Sequence, residues 1–141
     1  MKKEKLCTVA LSASNSASTA GVVTVTRGIS DEKIDGLFAS VGQRLREGHS
    51  AESEKILLET IAGYRHAADN FANLKRLLSF TLETTGRYKE SLEAVRPFED
   101  EEALAKLSVE TQVRITTQLA IAYNNLTDQP KAATLLKETL R

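Results

Sequence analysis

The amino-acid sequence predicts an all-α protein, and three observations lead to this prediction. From residue 30 onward, apolar residues recur at intervals of three and four, as they do on one face of a helix. Glycine, proline and helix-capping residues divide this region into short segments. The turns at Gly48, Gly86 and Thr127 lie 38 and 41 residues apart, so the segments recur in pairs. This period predicts a right-handed α-solenoid of about three antiparallel helix pairs.

The N-terminal residues 1–29 differ from the rest of the chain. They are rich in Ser, Ala, Thr and Gly and carry no helical apolar stripe, which predicts a disordered or weakly structured tail. A short strand within GVVTVTRG is the alternative, although a single strand would have no sheet to join. Residues 30–141 are then the helical repeat domain.

The first predicted hairpin begins at Ser30, because a capping hydroxyl followed by Asp31 and Glu32 favours a helix start. Gly48 and His49 end this helix. A second helix is predicted over about residues 51–67. The apolar faces of the two helices consist of Ile34, Leu37, Phe38, Val41 and Leu45, and of Ile56, Leu57, Ile61 and Tyr64.

The second hairpin is predicted over residues 70–85 and 88–96, with Gly86 in the turn, because glycine adopts left-handed dihedral angles without steric penalty. Pro97 ends it, since proline disfavours helix in the residue before it. The segment FEDEEALAKL that follows is predicted to be a short helical linker with a solvated acidic face. The apolar stripe of this hairpin consists of Leu74, Leu77, Leu78, Leu82, Leu92 and Val95.

The third hairpin is predicted to begin with Ser108 as the cap of a helix over about residues 109–126. Asp128 is the predicted cap of the last helix, with Pro130 in its first turn. One face of the longer helix carries Ile115, Leu119, Ala122, Tyr123 and Leu126. The last helix carries Leu135, Leu136 and Leu140 without a polar capping helix after it, so we expect another protein surface or further chain to cover them.

The second and third hairpins resemble the tetratricopeptide repeat (TPR). The residues that carry the resemblance are Leu78–Ser79, Leu82, Gly86, Tyr88, Ser91 and Val95, and then Leu119–Ala120, Tyr123, Ala132 and Leu136. The resemblance implies that Ser79 faces Ser91 and that Ala120 faces Ala132, because only small side chains let two helix axes approach closely. The family's early tryptophan is missing, Ser79 and Ala120 replace its glycine, and residues 31–67 match only in helix length and period. A related helical-hairpin family would keep the same architecture.

Composition and short motifs argue against several classes of function. Nineteen basic residues balance nineteen acidic ones, which disfavours binding to nucleic acid. No apolar run is long enough to span a membrane, and the run from Leu6 to Leu11 is too short for a signal peptide. Cys7 has no second cysteine with which to form an internal disulfide and is predicted to be an inert thiol. We therefore expect a cytoplasmic protein.

No residue pattern predicts catalysis, a cofactor or a metal site. His49 and His66 lack a second ligand at helical spacing, so they are predicted to be a turn histidine and a solvated histidine on a helix face. The sequence contains no nucleophile elbow, phosphate-binding glycine loop or cysteine pair. The acidic residues 99–102 are adjacent rather than convergent. We therefore expect a protein that is not an enzyme.

The predicted binding surface is the side of the first helix of each hairpin that faces the concave side of the array. Its stripes mix amide, charged and hydroxyl groups with one apolar residue each, which suits a peptide, although such a stripe is also typical of an ordinary solvated face. The predicted partner-binding residues are Asn73, Arg76, Phe80, Glu83, Arg114, Thr117, Ile121 and Asn124. In the family, this face commonly binds extended peptides or partner helices. We therefore expect a protein–protein interaction module. The alternatives are self-association into a homo-oligomer through the C-terminal helix, or the TPR-like part of a larger enzyme or signalling protein.

Overall fold

A computed structural model describes residues 27–126 and 129–139 of the chain, and most of these residues are helical. The helices are α1 (Asp31–Arg46), α2 (Ser50–Gly63), α3 (Ala68–Thr84), α4 (Tyr88–Val95), α5 (Glu101–Ala105), α6 (Val109–Asn125) and α7 (Gln129–Thr139). A 3₁₀ turn (Arg96–Glu99) lies between α4 and α5, and β1 (Arg27–Gly28) and β2 (Tyr64–Arg65) are two-residue strands. The fold is therefore all-α, as predicted, apart from this strand pair.

Two predicted helix caps and two predicted turns are confirmed. The Ser30 hydroxyl accepts a hydrogen bond from the backbone N–H of Lys33 at 3.2 Å, and the Ser108 hydroxyl accepts one from that of Thr111 at 3.3 Å. Gly48 and Gly86 have φ angles of 82° and 78°, which lie in the left-handed region that favours glycine. The predicted turn at Thr127, the predicted cap Asp128 and the side chain of Leu140 lie outside the described residues.

The structure corrects the expectation that the N-terminal segment has no sheet to join. Arg27 and Gly28 pair in parallel with Tyr64 and Arg65. The chain is extended at Tyr64, so α2 ends at Gly63 rather than near residue 67, and Tyr64 is only half-buried. Hydrogen bonding between strands satisfies backbone groups that a longer helix would have used internally. The periodicity of α2 does not reveal a partner so distant along the chain.

Consecutive helices pack in three pairs, α1–α2, α3–α4 and α6–α7, and the pairs also pack on one another. Helix α2 packs against α3, and both α3 and α4 pack against α6. Two hydrophobic clusters result. The first cluster draws residues from each of the four helices α1, α2, α3 and α4. It contains Ile34, Val41, Leu57, Leu74, Leu78, Leu82 and Ala94. The second contains Ala72, Leu92, Val95, Phe98, Leu107, Ile115, Leu119, Ala120, Ala122, Tyr123 and Ala132.

The close approach within the second hairpin is confirmed. Ser79 and Ser91 are fully buried, and their hydroxyl oxygens lie 2.9 Å apart. In the third hairpin, Ala120 and Ala132 are both buried in the second cluster. Small side chains therefore occupy the positions at which the sequence predicts that the paired helices cross.

The linker between α4 and α6 is more firmly anchored than the sequence predicts. Phe98 is only 7% exposed and belongs to the second cluster. Glu99, predicted to be solvated, accepts a hydrogen bond from the Tyr123 hydroxyl and lies 3.2 Å from the ammonium group of Lys131. Burial, together with this hydrogen bond to Glu99, raises the pKa of Tyr123 to about 12. The prediction of a wholly solvated acidic face is therefore wrong at Glu99.

Candidate functional site

The predicted binding residues lie on two helices, α3 and α6, that pack side by side. Asp69 at the start of α3 accepts a hydrogen bond from the backbone N–H of Ser108, the cap of α6, at 2.9 Å. Further along, Gln118 of α6 donates to the Ser79 hydroxyl at 3.1 Å. Since both contacts join residues 39 positions apart, α6 runs parallel to α3. We call the surface formed by the eight predicted binding residues the α3–α6 face.

Arg76 and Arg114 bring two positive charges together on this face. Burial lowers the pKa of the half-buried Arg76, and the charge of Arg114 lowers it further. Arg76 donates to the side-chain oxygen of Asn73 at 3.3 Å, but no carboxylate oxygen of the described residues lies within 4.0 Å of its guanidinium. Arg114, in contrast, pairs with Glu110 at 2.8 Å. Arg76 is therefore a partly desolvated cation without an acidic partner among the described residues.

Phe80 and Ile121 supply apolar surface on the same face. Phe80 lies one helical turn beyond Arg76 and is 40% exposed, whereas Ile121 lies one turn beyond Thr117 and is 38% exposed. Exposed aromatic and aliphatic side chains beside a cation offer contacts to a ligand that has both an acidic and an apolar group. The α3–α6 face therefore has a charged half and an apolar half.

The remaining predicted binding residues differ in their exposure and in whether they already have a hydrogen-bond partner. Asn124 is exposed, and Thr117 is half-buried. Glu83 is half-buried and accepts a hydrogen bond from the side-chain amide of Gln118 at 3.0 Å, so its carboxylate already has a partner inside the protein. Glu83 thus stabilises the contact between α3 and α6 and is not a free group on the α3–α6 face.

Sequence reasoning missed Gln118, which is only 6% exposed and joins α3 to α6. Its position could have revealed it, since Gln118 falls between Ile115 and Ala122 on the apolar stripe of its helix. A polar side chain on a buried face needs hydrogen-bond partners, and here Ser79 and Glu83 provide them.

The two histidines have different environments. His49 is exposed, with its Nδ1 atom 3.5 Å from a carboxylate oxygen of Glu52. His66, predicted to be a solvated residue on a helix face, instead follows β2 and is half-buried. Its Nε2 atom lies 2.8 Å from the carbonyl oxygen of Thr60, while its Nδ1 atom is buried without a hydrogen-bond partner in the described part of the chain.

Neither a metal site nor a membrane span is found in the part of the chain that the structure describes. No three His, Cys, Asp or Glu residues within residues 27–126 and 129–139 are grouped so as to hold a metal ion. Over the same ranges, no helix combines the length and apolar character needed to cross a membrane. Cys7 lies outside these ranges.

No protein-family model matches the chain, and no curated protein or solved structure is significantly similar to it.

Proposed function

We propose that the protein is a cytoplasmic, TPR-like, right-handed solenoid that acts as a protein–protein interaction module without catalytic activity. Its partner is a peptide or helix that binds the α3–α6 face. One observation carries this proposal: the paired cations Arg76 and Arg114 lie on the same face as the exposed apolar side chains of Phe80 and Ile121. Such a surface favours a partner segment with an acidic residue near an apolar one.

The spacing between Arg76 and Phe80 on α3 defines the partner segment more closely. Arg76 and Phe80 are one turn apart, which corresponds to about 5.4 Å along the helix axis. Side chains on the same side of an extended peptide are two residues apart, or roughly 6.6 Å. An extended segment with a carboxylate at one position and an apolar side chain two positions away therefore places one group on Arg76 and the other on Phe80.

The repeat architecture is supported by two features of the packing. Small residues lie where paired helices cross, at Ser79 with Ser91 and at the buried Ala120 and Ala132. The contacts between α3 and α6 join residues 39 positions apart, close to the period of the sequence. An array of hairpins presents the first helix of each pair on one continuous surface, which suits recognition of an extended partner.

Affinity capture tests this function. The immobilised chain is incubated with native lysate, and captured proteins are identified by mass spectrometry for wild type, for Arg76→Ala with Arg114→Ala, and for a control with Lys55→Ala and Lys89→Ala. Both double variants remove two positive charges, but the control charges lie on α2 and α4 and are exposed. We expect the arginine variant alone to lose its partners while its melting temperature is maintained. Equal capture by all three proteins would contradict the proposal.

The exposed Leu136 favours a second candidate function, self-association through α7. This side chain is 43% exposed on a helix that packs against α6. Two copies that covered each other's α7 would remove this apolar surface from water. Light scattering at micromolar concentration distinguishes the candidates: self-association requires the mass of a dimer that Leu136→Ser converts to a monomer, and a wild-type monomer excludes it.

A further inference from the structure

A cleft of about 290 Å³ lies between the linker, α6 and α7, and shares no lining residue with the α3–α6 face. Its floor is apolar and includes Phe98, Leu104, Leu119 and Leu135. At its edge, Val109 and Val113 of α6 are 75% and 42% exposed. The volume is near the lower limit of about 300 Å³ for ligand pockets, so the cleft fits one or two side chains rather than a large cofactor.

Thr116 places a hydroxyl without a hydrogen-bond partner beside the apolar floor of this cleft. Its side chain lines the cleft, and the residue is only 7% exposed. Thr60 and Thr81, which also lie within helices, bond their hydroxyls to the carbonyl oxygen four residues earlier, at 2.7 and 2.8 Å. Among the described residues, the Thr116 hydroxyl has no hydrogen-bond partner. The buried unpartnered side-chain atoms of the described residues do not include this hydroxyl oxygen, so it is accessible from the cleft and can bond to a polar group of a ligand.

The charged residues around the cleft are acidic. Glu101 of α5 and Glu138 of α7 both line it, and no cationic group of the described residues lies within 4.0 Å of either carboxylate. Glu99 also lines the cleft but is already paired with Lys131 and Tyr123. Two free carboxylates beside an apolar floor attract a ligand that combines positive charge with apolar groups.

We propose that this cleft is a second docking site, which binds a short segment of a partner protein with an aliphatic side chain between two basic ones. The aliphatic side chain packs on the floor at Leu119 and Leu135. Lysine or arginine side chains on either side pair with Glu101 and Glu138, and a polar group of the segment bonds to Thr116. The two sites therefore select opposite charges, since the α3–α6 face favours an acidic segment.

The test selects random dodecapeptides, displayed on phage, for binding to the full chain. Peptides that also bind a double variant with Glu101→Lys and Glu138→Lys are removed by counter-selection. Enriched peptides are synthesised, and their dissociation constants are measured by fluorescence anisotropy. The matched control combines Glu32→Lys with Glu59→Lys, which changes the net charge equally at exposed positions away from the cleft. A third protein with Arg76→Ala and Arg114→Ala reports on the α3–α6 face.

We expect enriched peptides to carry Lys or Arg beside Leu, Ile or Val and to bind the Glu101 and Glu138 variant at least tenfold more weakly than wild type. The control and the arginine variant should bind as wild type does, and Thr116→Val should weaken binding severalfold. Thermal unfolding of each variant checks that it is folded. The proposal is overturned if no such peptides are enriched, if the control loses as much affinity, or if light scattering shows that a second copy of the chain occupies the cleft.

Discussion

The hydroxyl of Ser91 donates a hydrogen bond to the backbone carbonyl of Ser79 at 2.8 Å, and the two hydroxyl oxygens lie 2.9 Å apart. Because the Ser91 proton is used on that carbonyl, the Ser79 hydroxyl donates to Ser91. The hydroxyl oxygen of Ser79 can then accept a hydrogen bond from the side-chain amide of Gln118 at 3.1 Å. A continuous chain of hydrogen bonds therefore connects α4, α3 and α6 inside the protein.

Replacing Ser91 tests both the close approach of α3 to α4 and this hydrogen-bond chain. Ser91→Leu inserts a larger side chain into a fully buried site and should lower the free energy of unfolding by roughly 1–3 kcal/mol. Ser91→Ala removes only the hydrogen bonds and leaves Ser79 partly unsatisfied, which costs about 1–3 kcal/mol. Urea unfolding measures both changes, and a Ser91→Leu variant as stable as wild type would show that the helices do not approach closely.

Ala132→Leu tests the corresponding position in the third hairpin. Ala132 is 7% exposed within the second cluster, so a leucine overfills the contact between α6 and α7 and should lower the free energy of unfolding by roughly 1–3 kcal/mol. Ala133→Leu is the matched control, since Ala133 is exposed on the same helix. If the two variants have equal stability in urea, Ala132 has no packing role.

The carboxylate of Asp69 should make stability depend on pH. Hydrogen bonds from Ser108, and a weaker one from Thr111, lower the pKa of Asp69 below its ordinary value of 3.8. Its contribution is therefore fully present above pH 3.8 and is lost as pH falls through the lower pKa of the folded state. Asp69→Asn should lower the urea midpoint at pH 7 and change it much less at pH 2. An equal loss at both pH values would contradict a charge-dependent role.

The left-handed conformation of Gly86 should make it intolerant of substitution. Its φ angle is 78°, and apart from Gly86 itself and its two chain neighbours no atom lies within 4 Å of the position that an added Cβ would take, so the penalty for alanine is conformational. Gly86→Ala should lower the free energy of unfolding by about 1–2 kcal/mol. Gly36→Ala, at an equally open position within α1, should instead raise it by roughly 0.5–1 kcal/mol. Thermal unfolding of the two variants would reveal whether their effects have opposite signs.

The apolar half of the α3–α6 face should contribute to partner binding. Phe80→Ala combined with Ile121→Ala removes two exposed side chains and should reduce capture of the partners that depend on Arg76 and Arg114. Leu58→Ala is the control, because Leu58 is 47% exposed on α2. Quantitative mass spectrometry of captured proteins measures the effect, and undiminished capture by the Phe80 and Ile121 variant would restrict binding to the charged half.

Local sequence features were sufficient to predict the helices and several of their ends. A serine before acidic residues stabilises a helix start, and glycine permits the left-handed turn, through interactions within a few residues. The predictions at Ser30, Ser108 and Gly86 are therefore confirmed. The exception is the end of α2, where Tyr64 leaves the helix to pair with Arg27.

The sequence by itself determined the all-α class, the order of the hairpins and the small residues at Ser79 and Ser91, because these depend on periodicity and side-chain size. Only the tertiary structure decided which polar groups meet. It placed Gln118 between Ser79 and Glu83, anchored Glu99 on Tyr123, and brought Arg114 close enough to lower the pKa of Arg76. The physical reason is that these contacts join different helices, whose relative positions follow from the packing of the whole chain.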